Sequence, residues 1–286
     1  MSITPASALF TCGLAFLAAG CALDASDESV GEAQGAVTAD NALSPNALSP
    51  NALSPNALSP NALSPNALSP NALSPNALSP NGLATLLDPS PSGDLWRSLI
   101  KYTVGCAYAP SQSFSFSWTD AKGNVRNEVY QGILGLAPSW STGPLDVGSQ
   151  RLVSACLAAR LNYYGVTVEL SLRADVDVLE ENTSFYELGV FNRIEGAFWG
   201  NLFSETPYIH ACYKAENVEH SRFRMRDCAS GHLSGNGRIE ECGMLHIVGP
   251  CTDVCRRLYT YGGYYTQCDV NGGSEVTDAL ITVGLK

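Results

Sequence analysis

Two segments of the chain place apolar residues at helical spacing. Residues 94–104 form an apolar stripe that predicts an amphipathic helix, with Leu95, Trp96, Leu99, Ile100 and Val104 on one side. Residues 150–164 form a second stripe, which Gly165 ends as a typical helix stop. These patterns predict two helices, each with one buried face.

Elsewhere apolar and polar positions alternate, as in strands with one buried face. Phe114, Phe116 and Trp118 alternate with serines, and a turn at 120–124 leads to a second strand at 125–131, which predicts a β-hairpin. Further strand candidates are residues 166–172, 207–213, 222–228, 245–248, 264–268 and 276–283. Two or three helices with an antiparallel sheet predict a single α+β domain.

Before this domain, the pentapeptide Asn-Ala-Leu-Ser-Pro repeats eight times without a substitution between residues 41 and 80. A proline at every fifth position removes a backbone donor and biases the preceding serine away from helix. The pattern predicts a disordered or polyproline-like tether. The alternative is a square β-helix like that of pentapeptide-repeat proteins, but those have a small residue two places before leucine, where this chain has Asn.

The N-terminus resembles the signal of an exported bacterial lipoprotein. The apolar run at 8–19 is too short to cross a hydrocarbon layer of ~30 Å as a helix. It ends in Leu17-Ala18-Ala19-Gly20-Cys21, which resembles a lipobox and implies lipid on Cys21. The leucine lies four residues before Cys21 instead of three, so an ordinary signal peptide is the alternative. We expect a signal peptide at 1–20, a lipid-anchored acidic and repetitive tether at 21–92, and a globular domain at 93–286.

The charge distribution excludes one class of partner. The chain has 16 Lys and Arg against 27 Asp and Glu, and its first basic side chain is Arg97. Nucleic-acid binding needs many grouped basic side chains. We expect no nucleic-acid partner. The expected partners are a membrane, through the lipid, and a polysaccharide or an envelope protein.

Cysteine content predicts a disulfide-rich domain. Eight cysteines lie within it: Cys106, Cys156, Cys212, Cys228, Cys242, Cys251, Cys255 and Cys268. An even number in an exported chain is typical of a disulfide framework. We expect Cys106 to pair with Cys156, and the other six, crowded near the C-terminus, to pair among themselves. Zinc on Cys242, His246, Cys251 and Cys255 is the alternative. We expect no metal and no cofactor.

The first candidate binding site is the aromatic segment at 195–203, with Glu195, Phe198, Trp199 and Asn201. Exposed aromatic rings stack on sugars, and the polar side chains can bond hydroxyl groups. The alternative is that these aromatic residues are core. A second aromatic loop around Gly262 and Gly263 has the same two interpretations and contributes Tyr264 as a candidate, beside Tyr259, Tyr261 and Tyr265.

No catalytic motif is complete. Ser234 is one residue out of phase with a Gly-x-Ser-x-Gly turn, which predicts a loop. No motif places a nucleophile beside any of the four histidines, His210, His220, His232 and His246. Arg222, Arg224 and Arg226 alternate with apolar residues, which predicts a strand whose arginines pair with neighbouring acids or bind an anionic ligand.

The lipobox-like start, the repetitive spacer and the segments 150–160 and 195–203 together resemble uncharacterised lipoproteins of myxobacteria. The resemblance covers most of the domain and implies an envelope location, but no activity. We expect a tethered, non-catalytic protein that binds a glycan, an envelope component or a partner protein. One alternative is a secreted hydrolase of carbohydrate or peptide polymers, with Glu195 and one of Glu240, Glu241 or Asp269 as carboxylates. The other is a structural spacer-and-cap protein.

Overall fold

The computed structural model describes residues 73, 78, 80–181, 183–256, 258–269 and 276–286. The predicted signal peptide, Cys21 and most of the predicted tether lie outside the described residues. No helix in the described ranges combines the length and apolar character needed to cross a bilayer.

Seven helices occur among these residues, and three of them have eight residues or more. They are α1 (Pro80–Leu87), α2 (Pro91–Ala107), α3 (Val147–Ala159), α4 (Asp177–Glu180), α5 (Phe185–Val190), α6 (Val218–Phe223) and α7 (Cys251–Val254). Helices α2 and α3 confirm that the two predicted helices exist, but α3 ends at Ala159 and not before Gly165 as predicted. Helix α3 starts early because the Asp146 side chain caps it, accepting from the Ser149 backbone N–H at 2.9 Å.

The strands are short except in the central sheet and one hairpin. They are β1 (Ser113–Thr119), β2 (Val125–Gln131), β3 (Ser171–Arg173), β4 (Arg193–Asn201), β5 (Tyr208–Tyr213), β6 (His232–Leu233), β7 (Ile239–Glu240), β8 (Leu245–Pro250), β9 (Leu258–Tyr259), β10 (Tyr264–Tyr265), β11 (Cys268–Asp269), β12 (Val276–Thr277) and β13 (Leu280–Leu285). The predicted hairpin is confirmed as the antiparallel pair β1–β2.

The central sheet has five strands in the order β3-β13-β4-β5-β8. All its pairings are antiparallel except that of β5 with β8, which is parallel. Helix α3 packs against β4 and β13 on one face, where Phe198 joins the larger core. Trp199, Leu280 and Tyr265 form a smaller core on the other face. The predicted α+β class is therefore confirmed, with β4 covered on both faces.

Four disulfides join the elements: Cys106–Cys156, Cys212–Cys251, Cys228–Cys242 and Cys255–Cys268. The pairing agrees with the predicted partition of the cysteines. The three cysteines of the zinc alternative each pair with a different cysteine. The first bridge fastens α2 to α3, and the second fastens β5 to α7, which supports the smaller core.

The described fold begins before residue 93. Helix α1 packs on α2, and the Trp96 indole N–H donates to the Gly82 carbonyl at 3.1 Å. Leu73 and Leu78, the leucines of the last two repeats, are buried, and the Leu73 backbone N–H donates to the Trp140 carbonyl at 2.7 Å. The end of the repeat tract is thus part of the core, because its leucines cover apolar surface on the domain.

Two strand predictions need correction. Residues 222–228 do not form a strand: Arg222 and Phe223 end helix α6, and Met225 follows in the left-handed region at φ 56°. Residues 166–172 give only the short β3, which starts at Ser171. In both segments the strand was predicted only from the alternation of apolar and polar residues. Tertiary contacts determine the backbone conformation of these segments instead.

Candidate functional site

The candidate segment at 195–203 is not a surface site. It lies in β4, the middle strand of the sheet, and Phe198 and Trp199 are each 0% exposed. Because both sheet faces are covered, large side chains point into a core in both directions, and no ring is free to stack on a ligand. The alternative interpretation as core is therefore the right one for these aromatic residues.

Glu195 is also buried and is held in an ion pair. Its Oε2 accepts from Arg226 Nε at 3.0 Å and from Nη2 at 2.8 Å. Burial raises the pKa of Glu195, and the Arg226 guanidinium opposes that rise. Arg226 also donates to the carbonyls of Ala159 and Leu161. The pair therefore fixes the C-terminal end of α3 to the sheet, and burial keeps the Glu195 carboxylate away from any substrate.

Asn201 serves the same structural purpose at the other end of β4. Its side-chain oxygen accepts from the Phe203 backbone N–H at 2.8 Å, and its amide nitrogen lies 3.3 Å from Gln150 Oε1. Of the five candidate binding residues, Tyr264 alone borders a cleft.

This cleft, which we call the aromatic cleft, has a volume of about 280 Å³. It lies beside the β9–β10 hairpin and is bordered by helices α4 and α5. The residues that define it are Glu180, Thr183, Phe185, Tyr259, Tyr261 and Tyr264. The second aromatic loop of the sequence therefore provides one wall, and a segment far from it in sequence provides the other.

Aromatic rings at the cleft are exposed to an unusual degree. Phe185 is 84% exposed, Tyr261 74% and Tyr259 44%. The ring centroids of Tyr259 and Tyr261 are 6.0 Å apart, and those of Tyr259 and Tyr264 are 5.3 Å apart. Aromatic side chains are usually buried. A group of exposed aromatic side chains is therefore typical of an interaction surface.

Two carboxylates lie near the Tyr264 hydroxyl. The Tyr264 hydroxyl donates to Glu180, and it lies 3.5 Å from Asp175 Oδ1. Burial, the Glu180 hydrogen bond and both carboxylates raise the pKa of Tyr264 above its ordinary value, so the hydroxyl stays protonated. Because a carboxylate has about four acceptor positions, Glu180 can also accept from a bound ligand.

A buried network supports the cleft from below. Arg173 Nε donates to Ser171 Oγ at 2.7 Å, its Nη2 donates to the Phe191 carbonyl at 2.7 Å, and Ser171 Oγ donates to Glu187. Burial lowers the pKa of Arg173 to about 10, an effect that Glu187 opposes, so the guanidinium stays charged at neutral pH. Gly263, at φ +66°, lies against this guanidinium where no side chain would fit.

A second cleft of about 230 Å³ lies against the same hairpin. It shares Tyr259 and Tyr261 with the aromatic cleft and adds Leu258, Thr260 and Thr266. The two tyrosines therefore form a ridge with a depression on each side. The two depressions and the ridge together offer a longer contact surface than a single small molecule would cover.

The other sequence candidates lie elsewhere. Ser234 is in the β6–β7 turn, as predicted, and donates to Asn236 Oδ1 at 2.6 Å. His232 Nδ1 lies 2.8 Å from Asp227 Oδ2, and His220 Nε2 lies 2.6 Å from the Lys286 carbonyl. Glu241 pairs with His246, Glu240 lies in β7, and Asp269 lies in β11. None of them borders the aromatic cleft.

Comparison with known proteins gives no match to a protein family, a curated protein or a solved structure.

Phe185 and Glu180 are cleft residues that the sequence alone does not predict. Nothing in the linear pattern connects residues 180–185 with the tyrosine loop, because the two are joined only by the packing of α4 and α5 beside the hairpin. One signal was available: Phe185 and Tyr186 follow Ser184, whose side chain caps α5 by accepting from the Glu187 backbone N–H at 3.1 Å. In the structure Phe185 and Tyr186, the first two residues of this helix, are exposed, whereas Glu187 is buried.

Proposed function

We propose that this protein is a tethered envelope lipoprotein that binds a neutral polysaccharide in the aromatic cleft without cleaving it. The observation that carries the proposal is the group of exposed rings, Phe185, Tyr259 and Tyr261, around the Glu180 carboxylate. Aromatic faces pack on the apolar faces of sugar rings, and carboxylate oxygens accept from sugar hydroxyls.

The negative charge near the cleft favours a neutral ligand over an anionic one. Asp175 and Glu180 are exposed beside Tyr264, and the exposed Asp177 lies in the same helix as Glu180. Negative charges at short range disfavour an anionic ligand. A neutral glycan therefore fits better than a polymer of uronic acids or a phosphorylated headgroup.

Two features support export and tethering. A disulfide-rich fold is typical of extracellular proteins. The lipobox-like sequence before Cys21 and the repeat that follows it supply an anchor and a spacer. A binding domain held away from a membrane by such a spacer is suited to a polymer of the cell surface.

The test of binding uses full-length protein and a panel of neutral and anionic polysaccharides, with affinity measured by isothermal titration calorimetry. Tyr261→Ala should weaken binding about tenfold or more, a loss of about 1.4 kcal/mol or more. It should leave the thermal midpoint nearly unchanged, because the ring is exposed. Tyr186→Ala is the matched control, since Tyr186 is equally exposed but does not border the cleft.

Three outcomes would contradict the proposal. They are equal losses for Tyr261→Ala and Tyr186→Ala, tighter binding of uronic-acid polymers than of neutral ones, and no binding of any polysaccharide in the panel.

The anchor has a separate test. Cys21→Ser should abolish incorporation of radiolabelled palmitate and release the protein from the membrane fraction, whereas Cys12→Ser, within the predicted signal peptide, should do neither. Labelling that persists in Cys21→Ser would exclude Cys21 as the lipid-bearing residue, and no labelling of the wild type would exclude the lipid anchor; neither result bears on the proposed cleft.

One observation favours the alternative of a secreted hydrolase. Asp175 and Glu180 both approach the Tyr264 hydroxyl, and glycoside hydrolysis generally uses two nearby carboxyl groups. The two functions differ in a measurable way. A hydrolase would release reducing ends from a bound glycan and lose that activity in Glu180→Gln, whereas a binding protein releases none.

A further inference from the structure

A row of aromatic and imidazole side chains crosses three neighbouring strands on the sheet face that carries the smaller core. Trp199 in β4 is directly opposite His210 in β5, and His210 is directly opposite His246 in β8. The row runs from the buried Trp199 to His246, whose side chain is 61% exposed. Because β5 and β8 are parallel neighbours, the two imidazoles project from the same face and edge of the sheet.

The two imidazole rings lie in edge-to-face contact, at a spacing that also suits two ligands of one ion. Their centroids are 5.7 Å apart, and their planes are tilted by 74°. With metal–nitrogen bonds of about 2.1 Å, an ion lies about 3.2 Å from each centroid, so two ligands of one ion have centroids about 5–6 Å apart. The observed spacing falls in that range.

His210 has a nitrogen that the fold does not satisfy. Its Nδ1 is buried and has no hydrogen-bond partner among the described residues. The ring is held between Trp199 and Tyr208, with centroid distances of 5.9 Å and 5.4 Å. Other buried side-chain atoms in the described part of the chain, such as Trp199 Nε1, also have no partner, but an imidazole nitrogen with a lone pair is one that a bound ion can satisfy.

His246 is oriented by a carboxylate. Its Nδ1 lies 2.9 Å from Glu241 Oε1, which also accepts from the Ile247 backbone N–H at 3.0 Å. When Nδ1–H donates to Glu241, Nε2 keeps its lone pair and is available to a metal. This carboxylate–histidine arrangement is typical of ligands in protein metal sites.

We propose that His210 and His246 bind one divalent transition-metal ion of the zinc class, with Glu241 as the positioning residue of His246. The chemistry of the chain agrees with this class of ion. All eight cysteines of the domain are in disulfides, which leaves imidazole as the strongest ligand type. Two imidazoles with water in the remaining positions make an open site, which binds zinc more weakly than a structural site with four protein ligands.

This site is separate from the aromatic cleft, and the sequence alone does not predict it. His210 and His246 belong to no short motif, and only the parallel pairing of β5 with β8 brings them together. The zinc alternative in the sequence analysis relied instead on cysteines around His246, which are in disulfides.

The test uses full-length protein without a histidine tag, titrated with Zn²⁺ in a calorimeter. One equivalent should bind, and the thermal midpoint should rise by about 5 °C when zinc exceeds the dissociation constant about a hundredfold. His246→Ala, at an exposed position, should abolish both effects. His220→Ala removes a histidine from α6 and should leave both effects unchanged.

The positioning role of Glu241 is tested by the zinc affinity of two variants. Glu241→Ala should weaken zinc binding about tenfold or more, and Glu241→Gln, which keeps a carbonyl acceptor for His246 Nδ1, should recover part of that loss. Stoichiometric Cu²⁺ should quench tryptophan fluorescence in the wild type and in His220→Ala, because Trp199 lies against His210. Quenching should be lost in His246→Ala.

The proposal would be overturned by zinc binding that survives in His246→Ala, by loss of binding in His232→Ala instead, or by affinity no tighter than millimolar. Each outcome is independent of polysaccharide binding, so this inference and the proposed function can fail separately.

Discussion

Single residues in this protein illustrate how burial decides the role of a charged or aromatic side chain. Glu195 and Glu180 are both acids near aromatic residues in the sequence. Glu195 is buried and neutralised by Arg226, whereas Glu180 is exposed beside Tyr264. The first is therefore structural, and the second is available to a ligand.

Glu195→Ala should lower the free energy of unfolding by about 3–5 kcal/mol, because it leaves the buried Arg226 guanidinium without its partner. Urea denaturation measures the change. Glu219→Ala is the control, since Glu219 is 88% exposed and pairs with the partly buried Arg222 at an N–O distance of 2.9 Å. It should have almost no effect. Equal losses in the two variants would contradict the structural role given to Glu195.

At the scale of elements, the β9–β10 hairpin depends on two consecutive glycines. Gly263 has φ +66°, and a Cβ there would lie 2.4 Å from Arg173 Nη1. Its backbone N–H closes the hairpin by donating to the Tyr259 carbonyl at 2.7 Å. The position of Tyr259 and Tyr261 is thus fixed to the buried arginine network.

Gly263→Ala should displace this hairpin and weaken polysaccharide binding, as titration calorimetry would show. Gly237→Ala is a matched control, because Gly237 also has positive φ, at +80°, but its Cβ would meet nothing within 4 Å. Both variants incur the backbone strain of about 1–2 kcal/mol, and only the first adds a steric clash. Unchanged binding in Gly263→Ala would exclude a binding role for the hairpin.

The sequence predicted elements with strong local periodicity and not those formed by long-range contacts. Helix α2 and the β1–β2 hairpin follow from stripes and alternation within a few turns of chain. Strand β4 was seen as an aromatic segment, but its burial on both faces depends on β5, β13 and α3. The sequence predicts one wall of the cleft, the tyrosine loop. It does not predict the other wall, because Phe185 and Glu180 reach the loop only through the packing of two short helices.

At the scale of the whole molecule, the disulfides hold together a domain whose strands outside the central sheet and the β1–β2 hairpin are mostly two residues long. Cys106–Cys156 closes a separation of 50 residues, and Cys255–Cys268 closes one of 13. In the chain-entropy argument, the longer loop gives the greater stabilisation of the folded state, about 4 kcal/mol against about 3.

Replacing both cysteines of a pair by alanine should therefore destabilise the protein more for Cys106 and Cys156 than for Cys255 and Cys268. Guanidinium unfolding of the two double variants gives the order directly. The reverse order would show that the small C-terminal bridge has the larger share in holding the domain together.

We propose that the exposed rings around Glu180 bind a neutral glycan. The most direct measurement is a nuclear magnetic resonance titration of the full-length protein with neutral oligosaccharides. We predict shift changes concentrated at Phe185, Tyr259 and Tyr261, with β4 unaffected. Shift changes centred on another surface, or none with any oligosaccharide, would contradict the account.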